Sequence, residues 1–264
     1  MPSAPEIDTV PSASDLPPMR TLALALLISS ASLLPAQQRV ERGGTVFLTY
    51  EAKPAEIDLF WKDASGERFG QFSKLQQHLR SEGRRVAFIM NAGIFEEGGV
   101  PSGLCVIDGK ILHPLNLSPG AGNFFLKPNG VFYIDARGAH VVTSEEYARR
   151  QPHARLAIQS GPLLLRDGKI HPAFRADSKN HLHRNGVGVR PDGTVVFAIT
   201  EFGQPRYANL HEFAEFFRSQ GCPDALFLDG DISRMFVNPG DIEPSNYFGA
   251  ILAIAPRIDS PTQR

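Results

Sequence analysis

The sequence predicts an α+β fold in a single domain, built on a mixed but largely antiparallel sheet with a few flanking helices. Several short apolar runs are separated by Asp-Gly or Asn-Gly pairs, which favour tight hairpin turns between antiparallel strands. These pairs stand at 108–109, 129–130, 167–168 and 192–193. Helical spacing of apolar residues is clear in only two segments, 72–79 and 210–217. Several hairpins with so few helices favour α+β over a doubly wound fold.

The composition is that of an ordinary globular protein, and it narrows the class of partner. Of the 264 residues, 42% are apolar and 21% are charged, and the formal net charge is −1. The basic residues are scattered, so the chain lacks the positive patch that attracts nucleic acid or an anionic membrane. We therefore expect a small or local ligand and no nucleic-acid partner. The oligomeric state stays open.

The first 36 residues have the layout of an extension followed by a signal peptide. Residues 1–18 are rich in Pro, Ser and acid and are predicted to be disordered or non-native. Residues 19–36 combine a positive charge, a short apolar stretch and a small residue at a cleavage point after Ala36. A transmembrane anchor is the competing interpretation, but the run is short and interrupted by serines. We expect a periplasmic or secreted protein with its domain at 37–256, a flexible tail at 257–264 and no integral membrane segment in the mature chain.

The first part of the domain is predicted to hold three strands and one helix. Apolar runs at 45–50 and 57–61 predict two strands, and the helical spacing at 72–79 predicts a helix. A continuous apolar run at 85–90 is typical of a buried central strand. That strand ends at Asn91.

Hairpins are predicted through the middle of the chain. The expected strands are 104–107, 123–126, 131–134, 156–159, 163–165, 186–189 and 195–199.

A helix, a strand and a carboxylate follow. Asn209 and Glu212 have the spacing of a capping box, and Gly221 ends the helix. The apolar run at 225–228 then stops abruptly at Asp229. Because ends of sheet strands are frequent ligand sites, Asp229 is the first functional candidate. The alternative is a plain Asp-Gly turn.

Other polar residues stand at predicted strand ends. Asn91 and Asp229 would lie near each other if their strands are neighbours. Arg184 and Asn185 end a polar, cationic loop and precede a Gly-Val-Gly strand, which would let an anionic ligand approach the backbone closely. Glu201 follows another strand and is a second acid candidate, ranked below Asp229, with a turn as the alternative.

Histidine and cysteine give no independent signal of a site. His181 and His183 share one face of an extended segment, but no acidic partner lies at short spacing, so a histidine metal site is not favoured. Cys105 and Cys222 lack metal-binding spacing and an adjacent base. We expect two buried thiols with no catalytic role, and their pairing stays open.

Six short motifs occur in an order that is typical of one known protein family. They are residues 90–95 (MNAGIF), 101–104 (PSGL), 122–125 (GNFF), 159–162 (QSGP), 184–188 (RNGVG) and 228–233 (LDGDIS). Over about residues 45–255 the chain resembles the phosphodiester glycosidase family, whose animal member removes N-acetylglucosamine from mannose 6-phosphate tags, and it is most similar to the compact bacterial periplasmic branch. One departure is Asp231, which stands where the family usually has a second glycine.

The resemblance implies hydrolysis of a sugar that is joined through its anomeric carbon to a phosphodiester. Its substrate would be a sugar phosphate or a phosphodiester-linked glycan of the cell envelope, and no cofactor is expected. The candidate catalytic residues are Asp229, Glu201 and Asp231. The candidate substrate or phosphate ligands are Asn91, Ser102, Gly103, Asn123, Gln159, Ser160, Gly161, His171, Arg184, Asn185, Gly230 and Ser233.

The chemistry suggests roles for two of these groups. Cleavage at the anomeric carbon develops positive charge on the sugar ring, and the departing phosphate needs little protonation. Asp229 would be the nucleophile, the general base or an electrostatic stabiliser. Arg184, aided by His171 or Asn185, would hold the phosphate.

Two alternatives from other functional classes stay open. The first is a metal-dependent phosphodiesterase in which Asp229 and Asp231 hold a divalent cation. The second is a non-catalytic protein that binds a sugar phosphate or polysaccharide. The sequence leaves the sugar, the aglycone and the stereochemical course open.

Overall fold

A computed structural model describes Met1 and residues 37–258. The expected extension at 1–18, the expected signal peptide at 19–36 and the tail from residue 259 onwards lie outside the described residues. Arg257 forms an isolated bridge with Arg84, and the Ile258 N–H donates to the Gly83 carbonyl over 2.8 Å. The last described residues are therefore tied to the fold. Within the described part, no helix has the length and apolar character needed to cross a membrane.

Three α-helices and eighteen strands form within residues 37–258. The helices are α1 (Phe72–Ser81), α2 (Ser144–Arg150) and α3 (Leu210–Ser219). The strands are β1 (Gln38–Arg42), β2 (Thr45–Ala52), β3 (Asp58–Phe60), β4 (Phe88–Ala92), β5 (Phe95–Glu96), β6 (Val100–Pro101), β7 (Cys105–Ile107), β8 (Lys110–His113), β9 (Gly130–Asp135), β10 (Gly138–Thr143), β11 (Leu156–Ser160), β12 (Leu163–Arg166), β13 (Lys169–Ile170), β14 (Asn185–Val189), β15 (Val195–Thr200), β16 (Asp224–Asp229), β17 (Met235–Val237) and β18 (Ala250–Ile254).

The strands form three larger sheets and one short hairpin. The seven-stranded sheet has the order β1-β2-β15-β14-β16-β12-β13, the five-stranded sheet β10-β9-β11-β7-β8, and the four-stranded sheet β17-β4-β18-β3. The hairpin is β5-β6. All strand pairs within the described part are antiparallel, so the predicted α+β fold with largely antiparallel pairing is confirmed.

Aromatic rings join the three sheets in one core. Phe88 of β4 stacks on Tyr50 of β2 and on Phe197 of β15, with ring centroids 4.6 and 4.7 Å apart. Phe132 of β9 meets Phe197 edge to face at 6.4 Å. Since each sheet contributes a ring, burial of this cluster fixes how the sheets meet. The ends of β4 and β16 are brought together by that packing.

The strand predicted at 186–189 is present as β14, but helix α3 covers the glycines at which the close approach of an anionic ligand was expected. The rings of Phe213 and Phe217 on α3 pack on β14 there. A Cβ at Gly186 would lie 2.8 Å from the Leu226 carbonyl oxygen, and one at Gly188 would lie 2.7 Å from the Phe217 ring. These glycines therefore admit the helix and leave no room for an anion. The predicted capping box of α3 is present, with Asn209 and Glu212 bonded reciprocally.

Two other predicted strands differ from the structure. Residues 123–125 form a 3-10 turn instead of a strand. The predicted strand at 85–90 is β4, shifted to Phe88–Ala92, so Asn91 lies inside the strand and not after it. Helix α2 was not predicted. Its N-cap is Thr143, whose side chain accepts from the Glu146 N–H, and the sequence pattern did not reveal this cap among so many hairpins.

Candidate functional site

Asp229 is the last residue of β16, and a bulge turns its side chain. In the pairing of β14 with β16, Asn185 lies opposite Asp229 while the next residue, Gly186, lies opposite Phe227. Leu228 is therefore an extra residue on β16, and bulges of this kind re-aim a neighbouring side chain. The carboxylate consequently lies toward β4 of the adjacent sheet.

The Asp229 carboxylate is partly buried and accepts two hydrogen bonds. The Gly230 N–H donates to Oδ1 over 2.7 Å, and Nδ2 of Asn91 donates to Oδ2 over 3.2 Å. Burial raises the pKa of Asp229 to about 6, against the opposing effect of these two bonds, and the negative charge of Asp231 raises it further. Asp229 thus has the pKa of a group that changes charge close to neutrality.

Asn185 and Asn91 hold the carboxylate in place. Nδ2 of Asn185 donates to the Asn91 carbonyl over 3.0 Å and to Oδ1 of Asn91 over 3.2 Å. Oδ1 of Asn185 accepts from the Asp229 N–H over 2.7 Å. Both asparagines are almost fully buried, so these bonds bridge two sheets in a water-poor setting. We call Asn91, Asn185 and Asp229 the carboxylate cluster.

Ser160, at the end of β11 in the five-stranded sheet, and the following Gly161 support this cluster. The Ser160 hydroxyl donates to the Leu228 carbonyl over 2.8 Å and accepts from the Ile94 N–H over 3.3 Å. A Cβ at Gly161 would lie 2.8 Å from the Phe124 carbonyl oxygen, so the backbone passes close to the turn that contains Asn123. Ser160 is buried, and Asn123 is exposed on that turn.

The loop that contains Asn116 is held by Gln159 and lies beside Ser102 and Gly103. Oε1 of Gln159 accepts from the Asn116 and Leu104 N–H groups, and its Nε2 donates to the Asn116 carbonyl over 2.7 Å. A Cβ at Gly103 would overlap the Gln159 amide. The Ser102 hydroxyl donates to Oε1 of Glu96 over 2.6 Å. Because the acceptor and donor groups of the Gln159 side chain are already bonded to the protein, this side chain holds the loop in place.

His183 connects the strand end to the turn after Asp229. Its Nε2 lies 3.0 Å from the Ser233 carbonyl and its Nδ1 lies 2.9 Å from the Thr200 hydroxyl. A carbonyl can only accept, so Nε2 carries the hydrogen and Nδ1 accepts from Thr200. Burial lowers the pKa of His183, which keeps the ring neutral. Both nitrogens are engaged, and within the described residues no three His, Cys, Asp or Glu side chains are placed to hold a metal ion.

Arg234 is a cation beside the cluster that the sequence reasoning missed. Its N–H donates to Oδ1 of Asn91 over 3.0 Å. Its guanidinium lies 4.3 Å from the centroid of the Phe202 ring, which is 64% exposed. Among residues 37–258 it forms no ion pair with a carboxylate. Its position directly after Ser233, the last residue of a recognised motif, was the available signal.

Comparison with known proteins identifies the family. A sequence profile of the phosphodiester glycosidase family matches residues 84–253. The uncharacterized protein YigE of Escherichia coli K12 is 32% identical over 200 residues, which are 75% of this chain and 76% of that protein. The chain belongs to the phosphodiester glycosidase family. The whole carboxylate cluster and Arg234 fall inside the matched region of this family member.

Two solved structures share the fold of this glycosidase-family chain. The catalytic domain of zebrafish N-acetylglucosamine-1-phosphodiester alpha-N-acetylglucosaminidase has a TM-score of 0.59 and 17% identity, over 85% of this chain and 84% of that one. A hypothetical protein from Synechocystis has a TM-score of 0.52 and 14% identity, over 83% of this chain and 61% of that one. At these identities the likeness concerns the fold alone.

Arg184 lies away from the carboxylate cluster of the glycosidase fold. Its Nε donates to the Ala208 carbonyl over 2.8 Å and its Nη2 to the Asn180 carbonyl over 2.9 Å. The pocket that it lines does not include Asp229, Asn91 or Asn185. Arg184 and Asn185 are consecutive, and alternation along the chain sends their side chains to opposite faces of the sheet. Arg184, which was expected to hold the phosphate beside Asp229, therefore makes no direct contact with Asp229.

His171 is also in a separate environment. Its ring stacks on Phe174, with centroids 4.6 Å apart, and its Nδ1 accepts from the Ala173 N–H over 3.1 Å. Burial lowers the pKa of His171, so the ring is neutral. Within the described residues it forms no hydrogen bond to Arg184 or to the carboxylate cluster.

The two remaining acid candidates are placed differently. Glu201, directly after β15, makes a two-bond pair with Arg39 of the edge strand β1, at 3.1 and 2.9 Å. Asp231 is exposed on the turn after Asp229, next to the partly buried Gly230. Neither Asp231 nor Gly230 has a positive φ, so Asp231 replaces the family's glycine without backbone strain. The negative charge of Asp231 raises the pKa of Asp229. Glu201 is bonded to Arg39 and has no contact with Asp229 among the described residues.

The Ser233 backbone contributes to the turn while its hydroxyl does not. Its carbonyl accepts from His183, and its N–H donates to the Gly230 carbonyl over 2.9 Å. The hydroxyl is buried without a partner in the described part of the chain.

The two cysteines are free and buried in separate clusters. Burial raises the pKa of Cys105 and of Cys222 to about 12, so neither offers a thiolate near neutrality.

Proposed function

We propose that this chain is an exported hydrolase that cleaves a sugar-1-phosphodiester at the glycosidic C–O bond, in a phosphodiester-linked glycan or a cell-envelope sugar. The observation that carries the proposal is the carboxylate of Asp229, partly buried, with a pKa raised to about 6 and held by Asn91. Membership of the phosphodiester glycosidase family supplies the class of substrate.

Asp229 stabilises or attacks the anomeric carbon in this mechanism. The C–O bond to the phosphate breaks, its electron pair leaves on the phosphate oxygen, and the ring develops oxocarbenium character. The phosphate leaves as a weak base, so no acid partner has to protonate it. Water then adds to the anomeric carbon, with Asp229 accepting its proton or being displaced by it. Because the anion is the useful form, kcat/KM should fall below about pH 6.

The fixed surroundings of Asp229 support an electrostatic role. Its two oxygens accept from Gly230 and Asn91, which orients the carboxylate and leaves further lone pairs for the substrate. Asn185 holds Asn91 in position by donating a hydrogen bond to its carbonyl. Such a group has little reorganisation to undergo when positive charge develops on the sugar.

Arg234 is proposed as the cation that contacts the phosphate beside this carboxylate. Its backbone is anchored to Asn91, and its guanidinium rests on the exposed Phe202 ring without a carboxylate partner within residues 37–258. A guanidinium matches the oxygens of a phosphate through paired hydrogen bonds.

The test is hydrolysis of UDP-GlcNAc and of a nitrophenyl sugar-phosphodiester in oxygen-18 water. Heavy oxygen in the sugar shows C–O cleavage and supports the proposal, while heavy oxygen in the phosphate contradicts it. Asp229→Asn should abolish turnover, and Glu201→Gln serves as a matched control that removes another carboxylate. Binding without turnover in the wild type would instead support a sugar-phosphate-binding protein.

One observation favours a second candidate, the metal-dependent phosphodiesterase. The charge of Asp231 raises the pKa of Asp229, and a divalent cation would relieve that repulsion. This candidate predicts loss of activity with a chelator, heavy oxygen in the phosphate, and inactivity of Asp231→Gly. The glycosidase candidate predicts that activity survives a chelator, that the phosphate gains no heavy oxygen, and that Asp231→Gly stays active.

Export is part of the proposal. Signal cleavage after Ala36 should leave a mature chain that begins at Gln37, and N-terminal sequencing of the protein from its host tests this. An intact Met1 or Met19 in the exported fraction would contradict it.

A further inference from the structure

Arg184 is a buried cation without a negatively charged partner in the described part of the chain. Its side chain is among the largest that are fully buried, at 1% exposed. Nε and Nη2 donate to two backbone carbonyls, but no carboxylate of residues 37–258 lies within ion-pair distance. Burial lowers the pKa of Arg184 to about 10, and the negative charge of Asp231 opposes that effect. Burying a charge in this way is costly unless a counter-charge is supplied.

The guanidinium borders a pocket that opens to the surface. The pocket has a volume of about 140 Å³. It is lined by Leu126, Ala173, Phe174, Arg175, Ser178, Asn180, Arg184, Leu210 and His211. Nη1 of Arg184 donates no hydrogen bond within the described residues, so a donor pair remains for a ligand.

The first turn of α3 forms another part of the wall. Leu210 and His211 are its first two residues, and their backbone N–H groups have no acceptors inside the helix, whereas the Glu212 N–H is already capped by Oδ1 of Asn209. The positive end of the helix dipole lies in the same place. The pocket lining contains no Asp or Glu, while it contains two arginines and one histidine. Arg175 already pairs with Asp177 over 2.9 Å, which leaves Arg184 as the unpaired charge.

We propose that this pocket binds a phosphate-type oxyanion through Arg184 and the first turn of α3. The proposal goes beyond the proposed hydrolysis, since the carboxylate cluster contributes nothing to the pocket wall. The oxyanion has two possible sources: the phosphoryl group of a bound substrate that reaches around the end of the sheet, or free inorganic phosphate.

The experiment measures binding of inorganic phosphate to the folded protein by calorimetry, with a matched pair of variants at Ala173. Ala173 is exposed and lines the pocket, so a change there leaves the core intact. Ala173→Glu places a negative charge at the pocket, whereas Ala173→Gln adds nearly the same volume without charge. We expect wild type and Ala173→Gln to bind phosphate within about threefold of each other and Ala173→Glu to bind at least tenfold more weakly.

Arg184→Lys gives a second readout. It keeps the charge but loses the planar donor pair, and we expect phosphate affinity to fall about tenfold or more. No saturable phosphate binding in wild type, or equal binding by Ala173→Glu and Ala173→Gln, would overturn the proposal. Both results are read without any turnover, so failure of the hydrolase proposal leaves them interpretable.

Kinetics with the nitrophenyl sugar-phosphodiester distinguish the two sources. If the substrate's own phosphoryl group occupies the pocket, phosphate inhibits competitively and Ala173→Glu raises KM. If free phosphate is the ligand, Ala173→Glu loses phosphate binding while KM stays at the wild-type value. Either pattern, together with the binding data, supports the oxyanion site.

Discussion

Replacing Asp229 with Asn is expected to stop turnover and, above about pH 7, to stabilise the fold. Burial raises the pKa of the Asp229 carboxyl from 3.8 to about 6. The folded state therefore ionises this group less readily than the unfolded chain does. One pKa unit corresponds to about 1.36 kcal/mol, so the ionised carboxylate costs the folded state about 3 kcal/mol near pH 8.

The sign of the effect depends on pH. Well below pH 3.8 the carboxyl is protonated in both states and the cost is absent. It grows as the pH rises from 3.8 to about 6 and is fully present above that value. Asn carries no charge at any pH, but its amide would face Nδ2 of Asn91 and lose that 3.2 Å hydrogen bond, worth about 1 kcal/mol. The variant should gain about 2 kcal/mol near pH 8 and lose that advantage in acid.

The assay is urea unfolding of both proteins near pH 8 and near pH 4.5, paired with turnover of the nitrophenyl sugar-phosphodiester. The turnover of Asp229→Asn should fall about a thousandfold or more. Glu201→Gln is the matched control, since it removes a carboxylate that is bonded to Arg39 and does not contribute to the pKa of Asp229. A stability difference between wild type and Asp229→Asn that is the same at both pH values would refute the buried-charge reasoning. Near-wild-type kcat in the folded variant would refute the catalytic role.

Three other changes test the surroundings of Asp229. Asp231→Gly should keep turnover and move the acid limb of the kcat/KM profile to lower pH, because the Asp231 charge adds to the raised pKa of Asp229; an unmoved limb would contradict this. Asn185→Ala should lower the free energy of unfolding by about 2–4 kcal/mol, because it leaves the buried Asp229 N–H and the Asn91 carbonyl without their hydrogen bonds to Asn185. Chemical denaturation would detect this loss. Glu201→Gln should leave kcat within about twofold, because Glu201 is bonded to Arg39; a large loss in steady-state kinetics would restore it as a catalytic candidate.

Much of the local structure could be predicted because its causes are local. The capping box at Asn209 and Glu212 and the Asp-Gly turns act over three or four residues, so their consequences are visible in the sequence. Helix α2 and the strands β17 and β18 were not predicted. The extent of a strand depends on partners distant in the chain, as Ala250 on Ala92 illustrates.

The sequence singled out Asn91, Asn185 and Asp229, and it placed Asn91 near Asp229 only on the condition that their strands are neighbours. β4 and β16 belong to different sheets, and the aromatic core brings the two residues together. The hydrogen bonds from Asn185 to Asn91 and from Asn91 to Asp229 cross that junction.

The sequence by itself determined the fold class, the hairpins, helix α3 and the family resemblance, and it pointed to Asp229 as the first functional candidate. Only the tertiary structure decided which side chains share a site, because that depends on the face of the sheet to which each residue points. A bulge at Leu228 turned Asp229 toward Asn91, and alternation along the chain sent Arg184 to the face covered by α3. A one-residue bulge leaves no mark in the sequence pattern, and yet it reverses the side of the sheet on which a charge acts.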